Sequence, residues 1–287
     1  MPYQPAGKEV EFYASVHVGP DSPFAADLVE FNAYLENVSF HLKRGEPYGG
    51  VGVYLPFEDA LMLDRLPEEQ RTPGANFHWE MRHALPPSEL DGFHPLWISH
   101  AFLKEAIVEN DLVCSRRLRL QALYVDCEWL DADSLRELVR LADEGATIIW
   151  KRLCRQPGWR REPLYASDLE QMLAKPNVVS NSSQITPLLR GEDLPWYWAR
   201  VLQDALLVFL AHPKAKEIPY PMPYGFCIEC GAMRRELVLR WRNLEVPLEL
   251  KFEPGQSLLL LVNARGEIEM LPVNWKSGSC TQNLRDM

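Results

Sequence analysis

Four carboxylates stand where two apolar runs end. Glu58 and Asp59 follow GVGVYLP, and Asp126 and Glu128 follow Leu123-Tyr124-Val125. Paired carboxylates do general acid–base work when one keeps its proton and the other loses it, and clustered ones hold hard cations. Either use requires the two runs to be neighbouring strands whose tips share an edge. The competing reading is structural, because carboxylates also cap loops and helix starts at such an edge. That reading is preferred, and the catalytic residues stay unassigned. Cys127, between two of the acids, occupies a strand-to-helix position where some hydrolases keep a nucleophile. A nucleophile there needs a tight turn of small residues and a nearby base. Here Asp126, Glu128 and Trp129 surround it, and adjacent negative charge opposes thiolate formation.

Two further groups could carry chemistry. Cys227 and Cys230 form CIEC. Zinc wants two further ligands, no second pair is present, and Cys280 and His212 could complete a site only by an accident of tertiary structure, so two ordinary loop thiols are expected and no metal is. His78, Trp79, Arg82, His83, His94 and Trp97 lie in and beside a long stretch from Arg65 to Gly92. Aromatic planes with polar neighbours suit a carbohydrate ring, and equally the core of an interface, where Trp and Arg are enriched. The interface is preferred.

The elements that must position these residues are best marked between Gln121 and Trp150. A short apolar run ends at Asp126, Asp131 can cap a helix, and Leu135, Leu138, Val139 and Ala142 recur at helical spacing. Gly145 supplies the stop, and Ala146 to Trp150 form a second buried run. This is a βαβ unit, so a mostly parallel sheet is predicted, with its ligand edge at the carboxyl ends of the strands. Earlier, Leu28, Phe31, Leu35, Val38 and Leu42 predict a helix closed by Gly45, and Gly50 to Leu55 a buried strand ended by Pro56. Leu96 to Val108 reads as a helix, Asp168 to Ala174 as a short helix, and Asn177 to Ser180 as an edge strand. From Trp196 the pattern changes to period two, in YWARVLQDALLVFLAH, ELVLRW, VPLELKF, QSLLLLV and EIEML, which predicts an antiparallel sheet or small sandwich. Domains are therefore expected at 1–190 and 191–287.

The 287 residues carry a formal net charge of −10, which argues against nucleic acid or an anionic membrane as partner. Six cysteines in a chain of this length are not a disulfide scaffold. No apolar run approaches spanning length and MPYQPAGKEVEF does not read as a secretory signal, so the expectation is a cytoplasmic protein with free thiols and no cofactor.

Beyond these local readings, several segments taken together resemble a known arrangement. VHVGP, RGEPYGGVGVYLPFEDA, ELDGFHPLWISHAFL, LYVDCEWLDADSLRELVRLADEGATIIW and FEPGQSLLLLV resemble the region after the catalytic barrel in family 106-type α-L-rhamnosidases. The resemblance implies an α/β fold: a Rossmann-like, class I glutamine-amidotransferase-like domain followed by a β-sandwich. It implies no catalytic residue for this chain, because the acids of those enzymes sit in the barrel, which needs roughly 250 residues. The implied function is a non-catalytic accessory, assembly or substrate-cleft module, with a second copy or a separate barrel as partner and carbohydrate nearby. Its rivals are a stand-alone hydrolase using Glu58, Asp59, Asp126 and Glu128, and a carbohydrate binder using the aromatic loop.

Overall fold

The computed structural model describes residues 25–63, 86–159, 161–218, 228 and 230–273. Helix α1 (Leu28–Leu42) leads into the two-residue strand β1 (Glu46–Pro47), strand β2 (Val51–Tyr54) and helix α2 (Phe57–Leu63). After the segment that is not described come β3 (Pro95–Ile98), α3 (His100–Glu105), and a meander of β4 (Ile107–Glu109), β5 (Leu112–Ser115) and β6 (Leu118–Leu120). The βαβ unit follows as β7 (Ala122–Val125), α4 (Ala132–Asp143) and β8 (Ile148–Trp150), then α5 (Tyr165–Leu173) and β9 (Val178–Val179). The remaining strands are β10 (Leu189–Arg190), β11 (Tyr197–Val201), β12 (Ala205–Leu210), β13 (Met233–Trp241), β14 (Leu244–Phe252), β15 (Leu258–Asn263) and β16 (Ile268–Leu271).

The fold is mixed α/β, with one parallel sheet and several antiparallel ones. The parallel sheet has the order β3-β2-β7-β8-β9, and every neighbouring pair in it is parallel. The chain steps one way from β2 to β3 and the other way from β2 to β7, so the order reverses at the β2/β7 seam. Side chains alternate across the sheet as strand geometry demands. Leu123, Val125, Ile148 and Trp150 join one core with Leu103 of α3, Leu135 and Leu138 of α4, and Leu169 and Met172 of α5. Val51, Val53, Ala122, Tyr124 and Ile149 face the other way, onto Leu90 and Phe93. Each fully buried leucine of α4 stabilises the packed sheet by roughly 1.5–3 kcal/mol. Asp131 caps α4 by accepting from the Ser134 amide at 2.9 Å, and Gly145 ends the turn after it at φ +104°.

The period-two segments form two antiparallel sheets, β1-β11-β12-β15-β16 and β10-β13-β14. They share one core, in which Leu206, Val208 and Leu260 of the first meet Leu237, Leu239 and Phe252 of the second. Helix α1 packs against β12, and Tyr34 of α1 bonds Ser257 at 2.9 Å.

One expectation needs correction. Leu96 to Val108 is not one helix: it holds the edge strand β3, the six-residue α3 and the strand β4. Parallel pairing of Leu96 and Ile98 with Gly52 and Tyr54 outweighs the helical spacing there. Some contacts also cross residue 190. α1 and β1 precede the parallel sheet in the chain yet attach to the later strands, Glu46 opposite Val201 and Pro47 opposite Arg200. The tie is reinforced at Gly92, whose carbonyl accepts from the Leu189 amide at 3.1 Å. A Cβ at that glycine would lie 2.1 Å from the Leu189 carbonyl oxygen, and its φ is +86°, so both space and backbone call for glycine.

Candidate functional site

The carboxyl edge at the β2/β7 seam gathers all four sequence-designated acids, since both strands end there. Asp59, in the first turn of α2, is fully buried. Its carboxylate accepts the backbone amides of Glu128 at 3.0 Å and Trp129 at 2.6 Å, so it fastens the β7–α4 loop to α2. Burial pushes its pKa up, and the two amides pull it part of the way back. Asp126 pairs with Arg152, and Glu128 with Arg155, whose guanidinium also lies over the Trp129 ring at 5.1 Å. Three of the four acids are thus held by backbone amides or arginines contributed by the neighbouring segments.

Glu58 is different. It is half-buried and shares a hydrogen bond with Asp131. Two ionised carboxylates cannot bond each other, so that contact needs a proton. Burial first, then the bond to Asp131, raises Glu58 to about 7. Burial alone would raise Asp131 too, but the Ser134 hydroxyl and amide and the Glu58 proton outweigh it and hold Asp131 below the ordinary carboxylate value. The Ser134 hydroxyl donates to Asp131 at 2.6 Å and also lies 2.9 Å from the Tyr54 hydroxyl and 3.1 Å from His100 Nδ1. Tyr54 approaches Glu58 at 3.1 Å. With the Ser134 proton spent on Asp131, His100 must donate to Ser134 through Nδ1–H, and the single Tyr54 proton serves Glu58 or Ser134 but not both. Burial, then the Glu58 charge, keeps Tyr54 protonated by raising its pKa.

This arrangement stores a proton between two carboxyls at a partly open edge. It offers a substrate at this edge no nucleophile, because Ser134 is fully buried and Cys127 is a buried thiol that faces Cys154. Cys127 is held protonated by its hydrogen bond with Cys154 and by desolvation. Tyr54, His100, Asp131 and Ser134 were not singled out for chemistry in the sequence. The one available signal was that Tyr54 and Glu58 stand four apart across a strand end.

The other candidates scatter. His78, Trp79, Arg82 and His83 lie outside the described residues, as does Cys227. Cys230 is a half-buried free thiol, and His212 spends both ring nitrogens on backbone, Nε2 on the Gly231 carbonyl and Nδ1 on the Lys214 amide. Among the described residues, no group of three or more His, Cys, Asp and Glu could hold a metal ion. Trp97 is half-buried against the Val51–Phe93 core. His94 is buried where the parallel sheet meets β11, its ring 5.2 Å from Tyr197 and 4.9 Å from Trp198. Neither imidazole nitrogen has a partner in hydrogen-bond geometry, and burial lowers its pKa to about 4, so the ring is neutral. Among the described residues no helix is long and apolar enough to cross a membrane.

No protein-family model matches the chain, and a search of curated proteins found no match either.

Two outcomes are expected. Asp59→Ala leaves two amides without an acceptor and lowers stability by about 2 kcal/mol, read from the denaturant midpoint. Glu58 has a folded pKa near 7 against an ordinary 4.5, so its stabilising share is complete below about 4.5 and disappears as pH rises through 7. Glu58→Gln donates to Asp131 at every pH, so thermal melts from acid to neutral pH should lose that decline in the variant. An unchanged slope would show that the shared proton does not matter to folding.

Proposed function

We propose that this chain is a non-catalytic accessory, assembly or substrate-cleft module of glycoside-hydrolase lineage, resident in the cytoplasm. We read the parallel sheet as a Rossmann-like, glutamine-amidotransferase-like support and the later sheets as a β-sandwich. The strand order supports the first part, because counting only its own strands it runs 2-1-3-4-5, an order of doubly wound sheets. The single core between two antiparallel sheets supports the second.

The observation that carries the functional reading is the employment of the edge acids. Asp59 holds two amides, Asp126 and Glu128 pair with arginines, and Asp131 caps a helix. Acids used this way hold an edge together. One observation favours a second reading, a stand-alone hydrolase: Glu58 keeps its proton near neutrality beside an ionised Asp131, which is how acid and base roles are divided. Against it, the two carboxyls lie close enough to share a hydrogen bond. Glycosidase pairs stand roughly 5–9.5 Å apart to admit sugar or water between them. The carbohydrate-binding reading rests on aromatic residues outside the described set.

An assembly role is supported by the segment after β8, where Leu153, Trp159 and Leu164 are 70%, 95% and 68% exposed. Large apolar side chains grouped on a surface mark partner sites.

The purified chain should release no chromophore from a panel of nitrophenyl glycosides; turnover that vanishes in Glu58→Gln would establish the hydrolase instead. Sedimentation should show self-association that Leu153→Glu with Trp159→Glu converts to monomer. A wild-type monomer across the accessible concentration range would remove the assembly role.

A further inference from the structure

Beyond the tips of β7 and β8 the two chains continue side by side. The Arg155 amide donates to the Glu128 carbonyl at 2.7 Å, and the Leu130 amide donates to the Arg155 carbonyl at 3.0 Å. This pairing brings Cys127 and Cys154 face to face, with their sulfurs 3.7 Å apart. Cys154 donates its S–H to the Cys127 carbonyl at 3.1 Å, which leaves the Cys127 S–H to point at the Cys154 sulfur. The two thiols differ in access. Cys127 has no exposed surface, whereas Cys154, also buried at 4% exposure, lines an open cavity of about 420 Å³ with Arg155, Gln156, Arg161, Glu162 and Tyr165.

We propose that Cys154 and Cys127 form a dithiol oxidation site. Cys154, at the cavity wall, takes a small carboxylate-bearing disulfide, and Cys127 behind it closes an intramolecular bond. Cys154 loses its proton, and its thiolate attacks one sulfur of RS–SR, forming Cys154–S–SR and expelling RS⁻, which takes up that proton. Cys127 then loses its proton and attacks the Cys154 sulfur, and the second RS⁻ leaves and is protonated. Two protein thiols and one disulfide become one protein disulfide and two small thiols. The order follows from access and from the hydrogen bonds, because the Cys127 S–H is placed to support a Cys154 thiolate. The sulfurs have to close from 3.7 Å to about 2 Å, which rotation about the two Cα–Cβ bonds and a small shift of the paired backbones must supply. Arg155 on the cavity wall is already paired with Glu128, so Arg161, beside Glu162, is the cation that suits a ligand bearing a carboxylate.

The test uses the whole native chain and oxidised glutathione. After alkylation of the remaining thiols and proteolysis, a Cys127–Cys154 linked peptide lighter by two hydrogens is expected, while Cys114, also a buried thiol, stays reduced. Cys127→Ser should trap glutathione on Cys154, and Cys154→Ser should leave Cys127 unmodified. Arg161→Glu should slow the reaction with oxidised glutathione several-fold and leave the rate with neutral hydroxyethyl disulfide unchanged. The proposal is overturned by a native protein that forms no link, by a link that appears only after unfolding in urea, or by glutathione found first on Cys127. Equal rates for Arg161→Glu and wild type with oxidised glutathione would overturn the recognition of carboxylates. Mapping the link in the wild type needs no variant to fold.

Discussion

The buried carboxylate of Asp59 is the constraint on which the edge of the parallel sheet depends. An ionised group taken from water is costly unless hydrogen bonds replace its hydration. Here the amides of Glu128 and Trp129 do so, and in return their loop takes one position relative to α2. That position puts Glu128 opposite Arg155, starts α4 at Asp131, and leaves Cys127 turned toward Cys154. A helix from one side of the seam thus sets the loop on the other side. The chain connection alone would not do this, since the residues are about seventy positions apart.

Beside that anchor, five polar side chains form one connected set. Tyr54, Glu58, Asp131, Ser134 and His100 answer one another, and the shared proton of Glu58 and Asp131 completes the account. A fully connected network in a low-dielectric edge rigidifies its surroundings. The contrast with His94 is instructive. That ring is also buried, yet it is enclosed by Tyr48, Tyr197 and Trp198 with its nitrogens unanswered. One polar cluster organises an edge, and the other residue fills a seam between sheets as an aromatic plate.

Much of this was legible in the residues. The Asp131 cap, the apolar face of α4, the stop at Gly145 and the alternation after Trp196 are local signals, and each is found in the structure. The nearness of Glu58 and Asp59 to Asp126 and Glu128 followed from the condition that their strands be neighbours, which they are. The failures were tertiary. Ile98 and Phe102 are at helical spacing, but Leu96 and Ile98 stand two apart, the strand spacing that pairing with β2 realises. Cys154 carries no local mark, because its meaning comes from a partner on the adjacent strand. The attachment of α1 to the last strands is invisible to any window of sequence.

That attachment bears on how the molecule is made. During synthesis α1 leaves the ribosome with its docking surface still uncoded, for Tyr34 waits on Ser257, 223 residues later, and Glu46 on Val201. An amphipathic helix with exposed leucine and phenylalanine must therefore stay unpaired while the whole parallel sheet emerges. Closing a loop of that size costs chain entropy, and α1 cannot dock until β12 and Ser257 have been translated. Chains interrupted before β12 would have a finished sheet and a helix with nothing to cover.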